Sequence, residues 1–253
     1  LAAIAVIPAR FGSTRFPGKI VASETGKPLV QHVVERARLS KKLRDVIVAT
    51  DDQRIIDALR PYSTHCVMTS AAHVSGTDRI AEVARRLTDT IVVNVQGDEP
   101  EIDPKTIDEL VARLEDGGHE MATAATPFPA GADPSDVNLV KVVLDLEDRA
   151  IYFSRSVIPF HRDSAALSST SRVAPTYYLH QGIYAYRRDF LLQFASWPPT
   201  PLEQSEKLEQ LRVLEHGRSI YVVKTRRAVH GIDTPQQYQA FVNRIKGVAG
   251  SVN

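Results

Sequence analysis

The feature that most limits what this chain can fold into is a rhythm. Five short apolar runs, Ile4–Ile7, Asp45–Thr50, Thr64–Thr69, Thr90–Val95 and Met121–Ala125, alternate with segments of helical spacing. Leu29, Val30, Val33, Val34 and Ala37 fall on one helical face, while Glu35, Arg36 and Arg38 face outward. Ile55, Ile56 and Leu59 do the same in the next segment, and Ile80, Val83, Ala84 and Leu87 in the one after. Start and stop signals agree with this reading. Pro28 suits a first helical turn, Asp51-Asp52 and then Ser75 or Thr77 can cap the next two helices, and Asp103-Pro104 opens the fourth. Pro61 and Gly117-Gly118 are breaks. Strands joined by helices of this length form a parallel sheet with right-handed crossovers. Ligands of such sheets sit beyond the C-terminal strand ends. The loops at Pro8–Lys19, Thr50-Asp51 and Gln96-Gly-Asp98 should therefore share one edge.

The rhythm changes near Thr126, where Pro127, Pro129 and Pro134 interrupt it. Leu139–Leu144 and Ala150–Phe153 read as an antiparallel pair turning at Asp145–Asp148. The Ser-, Thr- and Ala-rich stretch from Asp163 to Pro175 has no periodicity and reads as a mobile loop. A strand at Leu179–Tyr186, a helix at Asp189–Ala195, a single long helix at Leu202–His216, a strand at Tyr221–Lys224 and a helix at Pro235–Ile245 follow. The expected division is a core of residues 1–126 and 217–253 with an insertion at 127–216.

A chain of 253 residues can bury a full core without covalent staples. A net charge of +1 offers no global attraction for nucleic acid, so no nucleic-acid partner is expected. The single cysteine, Cys66, excludes an intrachain disulfide and fits a reducing compartment. No apolar run reaches the roughly 18 residues of a membrane span, and no leader pattern is read, so the expectation is a cytoplasmic protein.

The first loop holds two glycines, two hydroxyls and the cations Arg10, Arg15 and Lys19. Glycines admit a close backbone, N–H groups point at oxygens and cations neutralise charge, which is what a phosphate-rich ligand needs. It is not a Walker A loop: five residues separate Gly12 from Gly18-Lys19, and Ile20 stands where a metal-binding hydroxyl belongs. Nor is there a G-x-G-x-x-G dinucleotide fingerprint. Asp98 in Gln96-Gly-Asp-Glu-Pro100 and Asp233 in Gly231-Ile-Asp-Thr-Pro235 each follow a glycine and precede a proline. Two such carboxylates suit Mg²⁺, which takes one or two and fills its shell with water and phosphate oxygens. Each could instead cap a helix, which Asp does well.

The run Ile7-Pro-Ala-Arg-Phe-Gly-Ser-Thr-Arg-Phe-Pro-Gly-Lys19 resembles the opening of the sugar-acid cytidylyltransferases. Val93–Pro100, Val140–Asp145 with Tyr152–Arg155, Leu208–Val213 and Gly231–Pro235 resemble the branch acting on 3-deoxy-manno-octulosonate (Kdo), in order along almost the whole chain. The resemblance implies a nucleotide-diphospho-sugar-transferase-like, Rossmann-like α/β fold with a smaller antiparallel extension for sugar binding and dimerisation. It implies transfer of CMP from CTP to the sugar's anomeric hydroxyl, with release of pyrophosphate, for lipopolysaccharide synthesis. Arg10, Ser13 and Lys19 would hold the triphosphate, and Asp98 and Asp233 would hold Mg²⁺. The catalytic set would be Lys19, Asp98, Asp233 and Arg10. The cytosine end would meet Ala49, Thr50, Ser70, Gly76, Thr77 and Arg79, with Ser70 standing where some relatives carry Arg. The acidic eight-carbon sugar would meet Arg155, His180, Tyr184, Glu209 and Gln210, with Gln96 at the junction. Arg155 suits bidentate binding of its carboxylate. Taken without the resemblance, His180, Tyr184, Glu209 and Gln210 also read as structural or solvent-facing residues. A relative acting on another acidic sugar and a catalytically silent CTP binder are the competing readings.

Overall fold

The computed structural model describes residues 2–129, 131–162, 177–229 and 231–247. The stretch read as a mobile loop lies outside them. The strands are β1 (Ala3–Ala9), β2 (Leu43–Thr50), β3 (His65–Met68), β4 (Ile91–Asn94), β5 (Met121–Pro127), β6 (Lys141–Leu144), β7 (Ala150–Ser154), β8 (Tyr178–Arg187) and β9 (Tyr221–Lys224). The helices are α1 (Leu29–Ala37), α2 (Gln53–Leu59), α3 (Gly76–Ala84), α4 (Pro104–Glu115), α5 (Arg188–Ser196), α6 (Pro201–Glu206), α7 (Leu211–Glu215) and α8 (Pro235–Ile245). None of the helices described is long and apolar enough to cross a membrane.

The main sheet runs β3-β2-β1-β4-β8-β5-β9. Every neighbouring pair in it is parallel except those made by β8, which lies antiparallel between β4 and β5. Both faces are covered, so the strands are apolar almost throughout. In β1 the alternation is visible: Ala3, Ala5, Ile7 and Ala9 pack with α1, α2 and α4, while Ile4 and Val6 pack with α3 and α5. A third cluster seats α8 on α1 through Leu29, Ile232, Tyr238, Phe241 and Val242.

Two expectations are corrected. The insertion cannot run to residue 216, because β8 forms the middle of the main sheet and α5 packs on the core beside α3. The hydrogen-bonding edges of β4 and β5 are both satisfied by β8, so this late strand is integral to the core. Among the described residues β6 and β7 form the antiparallel extension, with β6 also pairing to the start of β8 at Tyr178 and Leu179. The single helix expected from Leu202 to His216 is two. Lys207 takes a left-handed conformation at φ 54°, and Leu208-Glu209-Gln210 forms a turn before α7. Periodicity continues across that break because a turn of helix-like spacing keeps Leu208 and Leu211 on the buried side.

Capping follows the sequence signals. Asp52 accepts from Arg54 N, Ser75 forms a capping box with Asp78, and Asp103 accepts from Lys105 N. Helix α8 is capped by Thr234, reciprocally with Gln237. Neither Asp98 nor Asp233 is a helix cap, so that reading of the two aspartates falls.

Candidate active site

The loop after β1 turns at Gly18, whose φ of 71° is left-handed and costs glycine little. Gly18 N donates to Phe11 O at 3.2 Å, and the Arg54 guanidinium lies 3.5 Å above the Phe11 ring. The closed loop delivers Lys19, almost fully buried, to the sheet edge. Its Nζ donates to Asp98 Oδ2 at 2.6 Å, Asp233 Oδ1 at 2.9 Å and the Ile232 carbonyl at 2.9 Å. Arg15 reaches the other oxygen of Asp233 at 3.0 Å. Residues far apart in sequence thus meet at one point. Ile232 N donates to the Asp98 carbonyl at 2.9 Å, which ties the segment before α8 to the loop after β4. A Cβ on Gly97 would stand 3.2 Å from the Pro8 carbonyl, so this position needs glycine for the two loops to approach.

The electrostatics are those of an ion cluster. Burial pushes the Lys19 ammonium down, but Asp98 and Asp233 outweigh it and hold the pKa above its ordinary value. Burial pushes the Asp233 carboxyl up, and Lys19 and Arg15 reverse this and hold it below the usual carboxylate range. Both groups are charged at neutral pH.

Two cavities flank this cluster. One, of about 620 Å³, is lined by Arg10, Ser13, Arg15, Lys19, Gln96, Asp98 and Asp233. The second, of about 370 Å³, is lined by His180, Tyr184, Glu209 and Gln210 together with Glu99, Asn138, Gln181 and Lys207. Both lie within the roughly 300–1,000 Å³ of ordinary ligand sites. Gln96 joins them, donating from Nε2 to the Gly182 carbonyl at 3.0 Å. Gly231 lines the second cavity and stands against the Asp98 carboxylate. A wider groove of about 1380 Å³ runs along α4 and α8 and shares Val229 and Gly231 with the second cavity, and like that cavity it is not lined by Lys19 or the two aspartates.

His180 lies on the wall of the second cavity, with Phe153 and Tyr184 rings 4.9 and 5.5 Å away. Burial pushes its pKa down to about 3, so the ring is neutral. Thr123 Oγ1 is 2.8 Å from the Ile183 carbonyl and 3.0 Å from His180 Nε2. With the Thr123 hydrogen on the carbonyl, Nε2–H donates to Thr123 and Nδ1 is left as an acceptor. Burial, then the Asp98 charge, pushes Glu99 up to about 8. Burial raises the Tyr184 phenol, with Glu209 and Glu99 adding to it. Glu209 is raised by burial against the opposing pull of Thr77 and Arg212. Thr77 Oγ1 donates to Glu209 Oε2 at 2.6 Å, while Arg212 Nη2 stands 3.4 Å from Oε1. Gln210 is buried, and its Nε2 has no hydrogen-bond partner among the described residues. Gln210 lines the second cavity, but this donor atom is itself buried, so a ligand would meet it only after a change of rotamer.

Other expected site residues are placed differently. Arg155 is not on the wall of the second cavity: Nε donates to the Glu206 carbonyl and Nη1 to the Val137 carbonyl, both at 2.8 Å. Ala49 and Thr50 are wholly buried in β2, and the Thr50 carbonyl accepts from Thr69 N and Oγ1. Arg79 is buried, donating to Thr69 Oγ1 at 2.5 Å and Asp51 Oδ2 at 2.9 Å. These residues brace the edge from behind, whereas Ser70 and Gly76 are exposed on it. Sequence reasoning missed Glu99, Asn138, Gln181 and Lys207. Glu99 sits within a motif already singled out, and only its burial separates it from a surface carboxylate. Lys207 was concealed by the helical reading of its segment.

A Rossmann-like sheet with a basic glycine loop after β1, and two carboxylates gathered against that loop, defines a nucleotidyltransferase. The cytidylyltransferase family profile matches residues 4–220. The 3-deoxy-manno-octulosonate cytidylyltransferase of Geobacter sulfurreducens is 50% identical over 246 residues, 96% of this chain and 98% of that one. That of Solibacter usitatus is 47% identical over 93% of this chain and 91% of its own. A solved structure of CMP:2-keto-3-deoxy-manno-octonic acid synthetase complexed with CTP superposes with a TM-score of 0.90 at 38% identity, covering 98% of this chain and 100% of that chain. The chain belongs to the 3-deoxy-manno-octulosonate cytidylyltransferase family.

Proposed function

We propose that this chain transfers CMP from CTP to the anomeric hydroxyl of Kdo and releases pyrophosphate. The observation that carries the reading is the meeting of Asp98 and Asp233 at the basic loop, on the wall of one cavity and beside a second. The larger cavity takes the triphosphate, with Arg10 and Ser13 on its wall. The smaller takes the sugar acid, whose hydroxyls meet the His180 Nδ1 acceptor, the Tyr184 phenol, the Glu209 carboxylate and the free Gln210 amide. Gln96 spans the junction. A bond forms between the anomeric oxygen and the α-phosphorus, and the bond from that phosphorus to the bridging oxygen breaks. The hydroxyl proton is lost and pyrophosphate leaves. Catalysis of such a transfer is mainly positioning and charge neutralisation, which a wall of cations and hydrogen-bond donors supplies.

The donor set fits Mg²⁺: two part-exposed carboxylates line the same cavity as the basic loop, and both are hard oxygen ligands. Bound there, the ion would lower the pKa of the attacking hydroxyl and offset charge on the phosphate. Asp98 and Asp233 would hold it. Exposed Leu146 and Ile151 on the extension, with exposed Val137, Val157 and Phe160 nearby in sequence, support a homodimer built through that side. The product would feed lipopolysaccharide synthesis in the cytoplasm, where CTP is made.

The test is pyrophosphate release with CTP and Mg²⁺ across Kdo, 8-amino-Kdo and N-acetylneuraminate, repeated with EDTA and with ATP, GTP and UTP. Release with Kdo and CTP alone, abolished by EDTA, is the expected result. Release with another sugar acid would redirect the sugar assignment, and CTP-dependent thermal stabilisation without release from any of them would indicate a silent binder.

A further inference from the structure

Lys19 was expected to hold the triphosphate, yet its ammonium is fully engaged elsewhere. It has three N–H donors, and all three are used: one to Asp98, one to Asp233 and one to the Ile232 carbonyl. None is left for a phosphate oxygen in this arrangement. The point it occupies lies 2.6 Å from one carboxylate and 2.9 Å from the other. A hard divalent cation binding the same pair would sit about 2.0–2.1 Å from their oxygens. The two positions overlap, and two cations there would also repel one another.

We propose that Lys19 is an internal counter-ion standing in the divalent-cation position between Asp98 and Asp233, and that a triphosphate opens that position by drawing the ammonium away. The inference rests on the reading of Asp98 and Asp233 as metal ligands. Several features of the site favour the exchange. Lys19 already lines this cavity along with Arg10 and Ser13, so a triphosphate bound in it would offer the ammonium a second set of anionic partners. A lysine is a point charge on a flexible four-carbon stem, able to move between them without moving the backbone. The backbone at Lys19 is meanwhile held in a short 3-10 turn, Lys19–Val21, with Val21 N donating to the Gly18 carbonyl at 3.0 Å. Arg15, the second cation on Asp233, is mostly exposed and also lines the triphosphate cavity, so it can follow the same ligand.

The consequence is coupling. Without a triphosphate, metal must displace a buried ammonium from two carboxylates. With one, Lys19 has a new partner and the carboxylates are released. Metal and nucleotide therefore strengthen each other's binding, and the effect is reciprocal.

The experiment measures Mn²⁺ binding to the nucleotide-free, full-length protein from the electron paramagnetic resonance signal of free Mn²⁺. It compares the unmodified protein, Lys19→Met and the double variant Asp98→Asn/Asp233→Asn, with thermal melts of each in EDTA and in Mn²⁺. Lys19→Met should bind Mn²⁺ at least about tenfold more tightly than the unmodified protein, within the range of ordinary coupling. It should also melt lower in EDTA, because two neighbouring carboxylates lose their counter-ion, and gain more from Mn²⁺. A folded Lys19→Met that binds Mn²⁺ no more tightly than the unmodified protein would overturn the counter-ion role. Should that variant fold only with Mn²⁺, Lys19→Gln carries the same comparison. Unchanged Mn²⁺ binding in the double Asn variant would instead refute the metal reading itself.

Discussion

Acidification should weaken this fold partly through one ring, His180. Its imidazole titrates near 6.5 in an unfolded chain and at about 3 in the folded one. The folded pKa is the lower of the two, so on acidification the unfolded chain takes up the proton first. The stability contributed by the neutral ring is complete above pH 6.5 and is lost progressively between pH 6.5 and 3. Each pH unit in that window removes about 1.4 kcal/mol, so moving from pH 7.5 to pH 5 costs about 2 kcal/mol through this residue. In a chain of this size each kcal/mol moves Tm by about 2–4 °C, giving a fall of about 4–8 °C. His32 and His119 are also lowered, first by burial, and add to the loss, whereas Glu99, pushed up to about 8, takes up its proton first in the folded chain and offsets it, so the loss in the unmodified protein alone does not isolate His180. The assay is therefore a double difference: Tm at pH 7.5 and at pH 5.0, for the unmodified protein and for His180→Asn. Asn cannot take up a proton, so the variant should lose about 4–8 °C less on acidification. If both proteins lose the same number of degrees, the buried neutral ring is not a determinant of acid stability and the reasoning fails.

Three further outcomes follow from particular contacts. Gly97→Ala forces a methyl to 3.2 Å from the Pro8 carbonyl and 3.4 Å from Ile7 and Ile20; it should cost about 1–3 kcal/mol in denaturant melts and lower turnover by displacing Asp98. Glu203→Ala strips Arg212 of its two-pronged partner at 2.7 and 2.6 Å inside the protein. That should destabilise by about 3 kcal/mol and raise KM for the sugar, since the unpaired guanidinium draws on Glu209. Gln210→Leu removes a buried amide that no described residue satisfies. Thermal stability should hold or rise by about 1 kcal/mol while KM for the sugar rises, and a marked loss of stability with unchanged KM would show the amide to be structural.

Much of the core was legible before any coordinates. The apolar runs and caps of the first half are local signals, because a strand buried on both faces must be apolar and a helix start must satisfy its own N–H groups. Asp52, Ser75 and Asp103 cap as their spacing implied. The glycine-rich basic loop was readable for the same reason: its chemistry is written in adjacent residues. By contrast, the capping reading of Asp233 was reasonable in sequence, and only the structure shows that Thr234 takes that place.

What the sequence determined by itself was composition at each site: a phosphate-suited loop, two candidate metal carboxylates, and a run of polar residues around residues 180 and 209. Only tertiary structure decided which of them touch. Strand β8 enters the sheet between β4 and β5, placing His180 and Tyr184 beside the aspartate cluster. No local pattern specifies that choice, because an apolar strand pairs equally well with several partners and the winning pairing minimises exposed edge for the whole sheet. The same holds for Lys19 and Arg155. Their chemistry suggested a phosphate and a sugar carboxylate, but the folded chain first satisfies their donors with Asp98, Asp233 and backbone carbonyls. A buried cation must find partners wherever the fold supplies them, and those partners lie far away in sequence.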